Sequence, residues 1–164
     1  MSRLDLNSVM IDYDQILPNL YVGTNPETRE DIQELKDRCG VTAVLNLQTD
    51  EDFHARGIDW PALEESYRRL GLEVTRVPMR DFDREDQREH LSEAVKVLAG
   101  WLAAGHVTYL HCNAGTGRSP LVAMAYLHWC RKMSLEQAIR HVRERRYCAS
   151  YEDLLKVSRK PEKH

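Results

Sequence analysis

The chain has 164 residues, 42% hydrophobic and 30% charged, with a net charge of −3, which reads as one ordinary globular domain able to bury a core without staples. That balance argues against broad nucleic-acid binding, and no apolar run is long enough to span a bilayer. The opening Met1-Ser2-Arg3-Leu4-Asp5 lacks the basic-then-apolar order of a secretion signal, so a cytoplasmic setting is expected.

Strand-like runs recur at Asn19–Gly23, Val41–Leu47, Leu72–Val77 and Val107–His111, separated mostly by helical patterns. That alternation predicts an α/β fold with a central, mostly parallel sheet flanked by helices. The first helix is expected to open at Asn25 with Pro26 in its first turn, to bury Ile32 and Leu35, and to stop at Gly40. A longer helix is expected from about Arg84 to Ala104. Its stripe is Leu91, Ala94, Val95, Leu98 and Leu102, with Gly105 as the stop. The segment Pro120–Cys130 is apolar nearly all round, as suits a helix in the middle of a domain. Ser134-Leu135-Glu136-Gln137 has the pattern of a capping box and predicts one more helix, with Ile139 and Val142 on the face of Leu135. Residues 157–164 are polar and basic and are expected to fray.

The stretch with the most chemistry is Val107 to Ser119, where a strand breaks into the loop Cys112-Asn113-Ala114-Gly115-Thr116-Gly117-Arg118 and then a helix. Gly115 and Gly117 can take the backbone angles that turn successive amides toward one point, and a helix N-terminus adds positive potential. Such a cradle fits a phosphate dianion, so residues 113–117 are the expected phosphate-binding amides. The same field favours the thiolate of Cys112 as a nucleophile. Arg118 supplies a planar fork able to grip two phosphate oxygens and hold them as charge shifts. Taken singly, a Cys is more often a small core residue and a Gly a turn residue. The strand, Cys, two glycines and Arg in sixth place together match what the chemistry requires. Cys39, Cys130 and Cys148 lack such surroundings, and the wide spacing of the four cysteines suggests neither a disulfide framework nor a zinc site.

His111-Cys112-x5-Arg118-Ser119 resembles the signature of cysteine-based tyrosine and dual-specificity phosphatases. The resemblance implies that His111 sets the environment of the thiolate, a job compatible with a strand-end histidine held by backbone, since an ordered hydrogen bond is how it would act. It implies that the Ser119 hydroxyl eases departure of the thiolate when water cleaves a phosphocysteine, where ordinary helix capping is the alternative. It also implies an Asp acid about thirty residues before the Cys. Asp81 fits, and Asp83 is its rival, since an Asp there also suits the N-cap of the next helix. No metal or other cofactor is expected, because the amides and Arg118 supply the positive field.

The resemblance runs over about residues 13–155 and is nearest to the glucan phosphatases, the plant starch-excess type and laforin. It is carried by Tyr13-Asp14-x-Ile16-Leu17-Pro18-x-Leu20, Leu45-Asn46-Leu47-Gln48, Gly57-Ile58-Asp59, Asp81-Phe82-Asp83 and His111-Cys112-Asn113-Ala114-Gly115. It implies a phosphorylated starch-like or glycogen-like substrate, with a phosphoprotein as the alternative. Thr116 stands where those enzymes have an aliphatic residue, and Ser119 where the plant forms have Ala. A sugar packs its C–H face on an aromatic ring, which makes Phe82 the first candidate platform and Phe53, Trp60 and Tyr147 further ones, with core packing the rival role for Trp60 and Tyr147. Trp101 and Trp129 fall within apolar helical patterns and read as core. The length leaves no room for a separate carbohydrate-binding module, so one domain over 1–164, monomeric or homodimeric, is expected. The cluster Arg140, Arg143, Arg145 and Arg146 reads either as a field for anionic substrate or as a solvated helix face.

Overall fold

The computed structural model describes residues 11–149 and 152–157; the fraying expected after Val157 lies outside them. Among these residues five strands form one sheet in the order β1-β2-β5-β3-β4. They are β1 (Tyr13–Leu17), β2 (Leu20–Gly23), β3 (Ala43–Asn46), β4 (Glu73–Arg76) and β5 (Thr108–His111). Only β1 runs antiparallel, joined to β2 by a tight turn at Pro18-Asn19. The fold is therefore the mostly parallel α/β sheet that the alternation implied.

Among the described residues seven helices surround it: α1 (Arg29–Cys39), α2 (Asp50–Arg56), α3 (Trp60–Arg69), α4 (Arg84–Ala103), α5 (Arg118–Cys130), α6 (Leu135–Arg143) and α7 (Glu152–Val157). Strand side chains alternate between faces, so each strand feeds two cores. Val44 and Tyr109 join Ile32, Leu35, Leu63 and Tyr67 of α1 and α3 on one face. Leu45, Leu110 and Val22 join Leu91, Leu98, Leu121 and Val142 of α4, α5 and α6 on the other. Helix α5 has eleven of its thirteen residues buried, because it lies between the sheet and α4 and α6.

Caps set the helix ends. Thr28, not Asn25, opens α1: its hydroxyl accepts from the Asp31 N–H while Asp31 returns a bond to the Thr28 N–H. Asn25 belongs instead to the loop after β2, where its N–H donates to Asn113 O at 3.0 Å. Segment 50–69 has no long apolar stripe, yet it forms α2 and α3 because Thr49 and Asp59 cap their starts and Gly57 ends α2 at φ 67°.

The four parallel strands end in step. Gly23, His111, Asn46 and Arg76 lie in one row of the register. The loops that follow them emerge together at the carboxyl edge of the sheet, where α/β proteins place their ligands.

Candidate active site

Cys112 follows the last residue of β5 and is 3% exposed, with its Sγ 3.3 Å from the hydroxyl of Ser119 in the first turn of α5. That helix is capped by Gly117, which has no side chain to take up the first N–H groups.

The loop from Cys112 to Arg118 is pinned from outside through four successive carbonyls. Asn113 O accepts from Asn25 N (3.0 Å), Ala114 O from Arg146 Nη2 (3.1 Å), Gly115 O from Arg146 Nε (2.6 Å), and Thr116 O from Ala149 N (2.6 Å). In a planar trans peptide the N–H points opposite to the C=O. Four outward carbonyls therefore turn the N–H groups of Ala114, Gly115, Thr116 and Gly117 to the inside of the loop, an arrangement that binds anions. Gly115 has φ 71°, and a Cβ there would lie 2.5 Å from the backbone of Gly23, so the crossing of β2 and this loop requires glycine.

Arg118 is 1% exposed and is anchored by one nitrogen: Nη1 donates to Asp52 Oδ2 at 2.7 Å and to Met79 O at 2.9 Å. Its Nε and Nη2 have no hydrogen-bond partner among the described residues, the only charge near Nη2 among them being the Asp81 carboxylate at 3.5 Å. That edge is the fork geometry for two oxygens of a phosphate. Asp52 is the N3 residue of the Thr49 capping box, and its carboxylate also accepts from Asn113 Nδ2 at 3.0 Å. Burial acts to raise its pKa, but the bonds from Arg118, the Thr49 N–H and Asn113 outweigh it and hold the carboxyl below its ordinary value. Gln48 Nε2 donates to Asn113 Oδ1 at 2.8 Å, which fixes the other end of that amide.

Asp81 lies on the loop after β4, one-third exposed, with Oδ2 3.5 Å from Arg118 Nη2. Asp83 is engaged elsewhere, since it caps α4 by accepting from the Asp86 N–H at 3.0 Å. The residue before Asp81 is held by α4: Arg80 N donates to Asp86 Oδ2 (2.7 Å), and Arg80 O accepts from Gln87 Nε2 (2.9 Å).

His111 is buried at the end of β5, where Nδ1 lies 3.0 Å from Cys112 O. A carbonyl only accepts, so the ring proton sits on Nδ1. Burial lowers its pKa to about 4, assisted by the charge of Arg118 and opposed by this bond, so the ring is neutral at pH 7.

Of the four aromatic candidates, Phe82 and Tyr147 are 86% and 85% exposed. Phe82 follows Asp81 directly and carries φ 61°, an unusual angle for a bulky residue. Tyr147 follows Arg146, which grips the phosphate loop. Phe53 corrects the sequence reading. It is 6% exposed, stacked on Trp60 at 5.2 Å and 8°, with the Arg76 guanidinium 4.5 Å from its ring centre. Its faces are spent on packing, and Trp60 is half-buried with one face committed to the same stack. Arg146 corrects the reading of the arginine cluster. Arg140, Arg143 and Arg145 are exposed as a solvated face would be, but Arg146 is buried against the phosphate loop.

Two hollows open on this side of the sheet, of which the first borders the phosphate loop. One of about 230 Å³ is bordered by Thr24, Asn25, Arg56, Asn113 and Ala114, and another of about 340 Å³ lies between Thr49, Arg76, Arg80 and His90. Among the described residues, no group of three or more His, Cys, Asp or Glu side chains is placed to hold a metal ion. No helix among them is long and apolar enough to cross a membrane.

The chain is 34% identical over 148 residues to the amyloplastic phosphoglucan phosphatase DSP4 of Castanea sativa, covering 89% of this chain and 39% of that protein. It is 35% identical over 127 residues to laforin of Mus musculus, covering 71% of this chain and 38% of laforin. The chain thus spans less than two fifths of the length of either relative. The crystal structure of Tk-PTP in its active form superposes with a TM-score of 0.72 at 25% identity, over 88% of this chain and 93% of that one. Residues 20–156 match the dual specificity phosphatase catalytic domain, so the chain belongs to that family of cysteine-based phosphatase domains.

Proposed function

We propose that this protein hydrolyses phosphate monoesters on a starch-like or glycogen-like glucan through a phosphocysteine intermediate. In the first step the Cys112 thiolate attacks phosphorus, the P–O bond to the sugar breaks, and Asp81 gives its proton to the departing oxygen. The amides of residues 114–117 and the Nε–Nη2 edge of Arg118 hold the three equatorial oxygens as charge is redistributed. Water then attacks phosphorus, the Asp81 carboxylate takes its proton, and the S–P bond breaks. Ser119 Oγ, 3.3 Å from Sγ, is placed to donate to the thiolate as it leaves. His111 orients the backbone at Cys112 and stays neutral.

The observation that carries the glucan reading is the exposed ring of Phe82 beside Asp81, which itself lies against Arg118. A flat apolar surface next to the acid suits the C–H face of a sugar whose phosphate sits in the cradle. Tyr147 offers a second ring beside the arginine that holds the loop. The phosphoglucan phosphatase similar to this chain supports the same reading. We place the reaction in one domain in the cytoplasm, without a cofactor; imaging of a carboxyl-terminal fluorescent fusion tests the compartment.

The test of substrate class compares phosphate release from phosphorylated amylopectin and glycogen with release from phosphotyrosine and phosphoserine peptides at matched ester concentration, with a metal chelator present. Faster release from glucan supports the proposal. Faster release from peptides replaces it with a dual-specificity protein phosphatase.

A further inference from the structure

Arg146 touches the phosphate loop without facing its interior. Its side chain is 5% exposed and lies 31 residues along the chain from Gly115, whose carbonyl it binds through Nε while Nη2 binds Ala114 O. On its far side Nη1 donates to Asp14 Oδ2 at 2.9 Å, and Asp12 Oδ2 lies 3.6 Å from Nη2. The buried charge is thereby balanced by two carboxylates of the segment around β1, neither of which belongs to the catalytic set.

The two bonded carbonyls are those that decide which way two cradle amides point. Gly115 can exchange its peptide orientation at little steric cost, since glycine occupies either sign of φ. If either peptide turned over, an N–H would leave the phosphate and a carbonyl oxygen would face the dianion in its place. A guanidinium on the outside prevents this by holding both oxygens at once in its fork, and it polarises both peptides so that their N–H groups become better donors. We infer that Arg146 is a positioning residue of the phosphate loop, which aims the Gly115 and Thr116 amides at the bound phosphoryl group and is itself oriented by Asp14. This rests on the phosphatase reading above and adds to it a requirement for a residue that touches neither substrate nor the attacking sulfur.

The experiment measures the inhibition constant of inorganic phosphate and the kcat and KM for p-nitrophenyl phosphate, well below the unfolding midpoint of each protein. The proteins are wild type, Arg146→Gln, Arg146→Lys and Asp14→Asn. Arg146→Gln is expected to weaken phosphate inhibition about tenfold or more, the effect of losing a charge-directed donor, and to lower kcat/KM at least as much. Arg146→Lys keeps the charge without the fork and is expected to recover part of the loss. Asp14→Asn is expected to move the same constants in the same direction by less. A purely structural role would lower thermal stability and leave the inhibition constant of the folded enzyme unchanged; that outcome in folded Arg146→Gln overturns the inference. If Arg146→Gln does not fold, unchanged constants in both Arg146→Lys and Asp14→Asn overturn it. A wild-type protein that neither turns over nor binds phosphate would remove the phosphatase reading instead.

Discussion

Asp52 and Arg118 form an ion pair in which the guanidinium is buried and the carboxylate partly so, with Nη1 2.7 Å from Oδ2, and this pair holds the opposite edge of the guanidinium toward the phosphate loop. Removing Asp52 leaves the buried charge of Arg118 uncompensated, at a cost of up to about 3 kcal/mol. Asp52→Ala is therefore expected to lower unfolding free energy in urea by about that amount, and to reduce kcat/KM by freeing Arg118 to rotate. Asp52→Asn, which keeps an acceptor for Arg118, is expected to lose less of both. Equal losses in the two variants would show that an uncharged acceptor does not hold Arg118 and that the negative charge does; wild-type behaviour of Asp52→Asn would show that the charge is not what holds it.

The two aspartates after β4 have different partners. Asp81 faces Arg118, whereas Asp83 is the N-cap of α4. Asp81→Asn is expected to cut kcat by roughly 10²–10⁴-fold, the usual contribution of a general acid, with a smaller loss for substrates whose leaving group needs no proton. Asp83→Ala is expected to cost about 1 kcal/mol of stability through the cap while kcat stays within a few-fold of wild type. The reverse pattern in steady-state kinetics would exchange the two roles.

Glycines with equal φ differ in what surrounds them. Gly40 and Gly115 both have φ 71°, but an added Cβ meets nothing at Gly40 and meets Gly23 backbone at 2.5 Å at Gly115. Gly40→Ala is expected to cost about 1 kcal/mol at the end of α1 and to leave catalysis intact. Gly115→Ala must push the phosphate loop away from β2, so phosphate inhibition and turnover are expected to fall together. Normal phosphate affinity in Gly115→Ala would mean that the close crossing at Gly23 does not shape the cradle.

His111 makes stability depend on pH. Its pKa falls from the ordinary 6.5 to about 4 on folding. Between those values the unfolded chain binds a proton that the folded protein does not, so acid favours unfolding. The contribution is fully present above pH 6.5 and is lost as pH falls toward 4, amounting to about 3 kcal/mol. Asp52, whose carboxyl is also lowered, adds a further loss at still lower pH. Urea unfolding at several pH values should show His111→Asn with a flatter slope between pH 6.5 and 4 than wild type.

What the sequence revealed of this site follows from how local each contact is. Cys112, Gly115, Gly117, Arg118 and Ser119 are contiguous, and one strand, loop and helix junction states their relation. The sheet was legible too, since buried runs such as Ala43–Asn46 and Thr108–His111 announce themselves, while β1 has three of its five residues outside the core and carries a weaker pattern. Asp52 and Arg146 reach the loop across 66 and 31 residues of chain. The pattern Thr49-x-x-Asp52 marks a capping box and could have flagged Asp52 as ordered, but nothing local says that a capping carboxylate also holds Arg118. Arg146 stands in a run of exposed arginines, and only the turn after α6 separates it from them. Phe53 misled for a related reason: it occupies a loop-like stretch, and its stack on Trp60 and Arg76 forms only once α2 has folded back on β4.

The measurement closest to the central claim is capture of the covalent intermediate. Ser119→Ala is expected to slow departure of the thiolate, so enzyme quenched during turnover of a phosphorylated glucan should carry one phosphoryl group on the peptide that contains Cys112. The same peptide should carry none in Cys112→Ser, which should also lack turnover. A phosphoryl group found on another residue, or turnover that survives in Cys112→Ser, would contradict attack by the sulfur of Cys112.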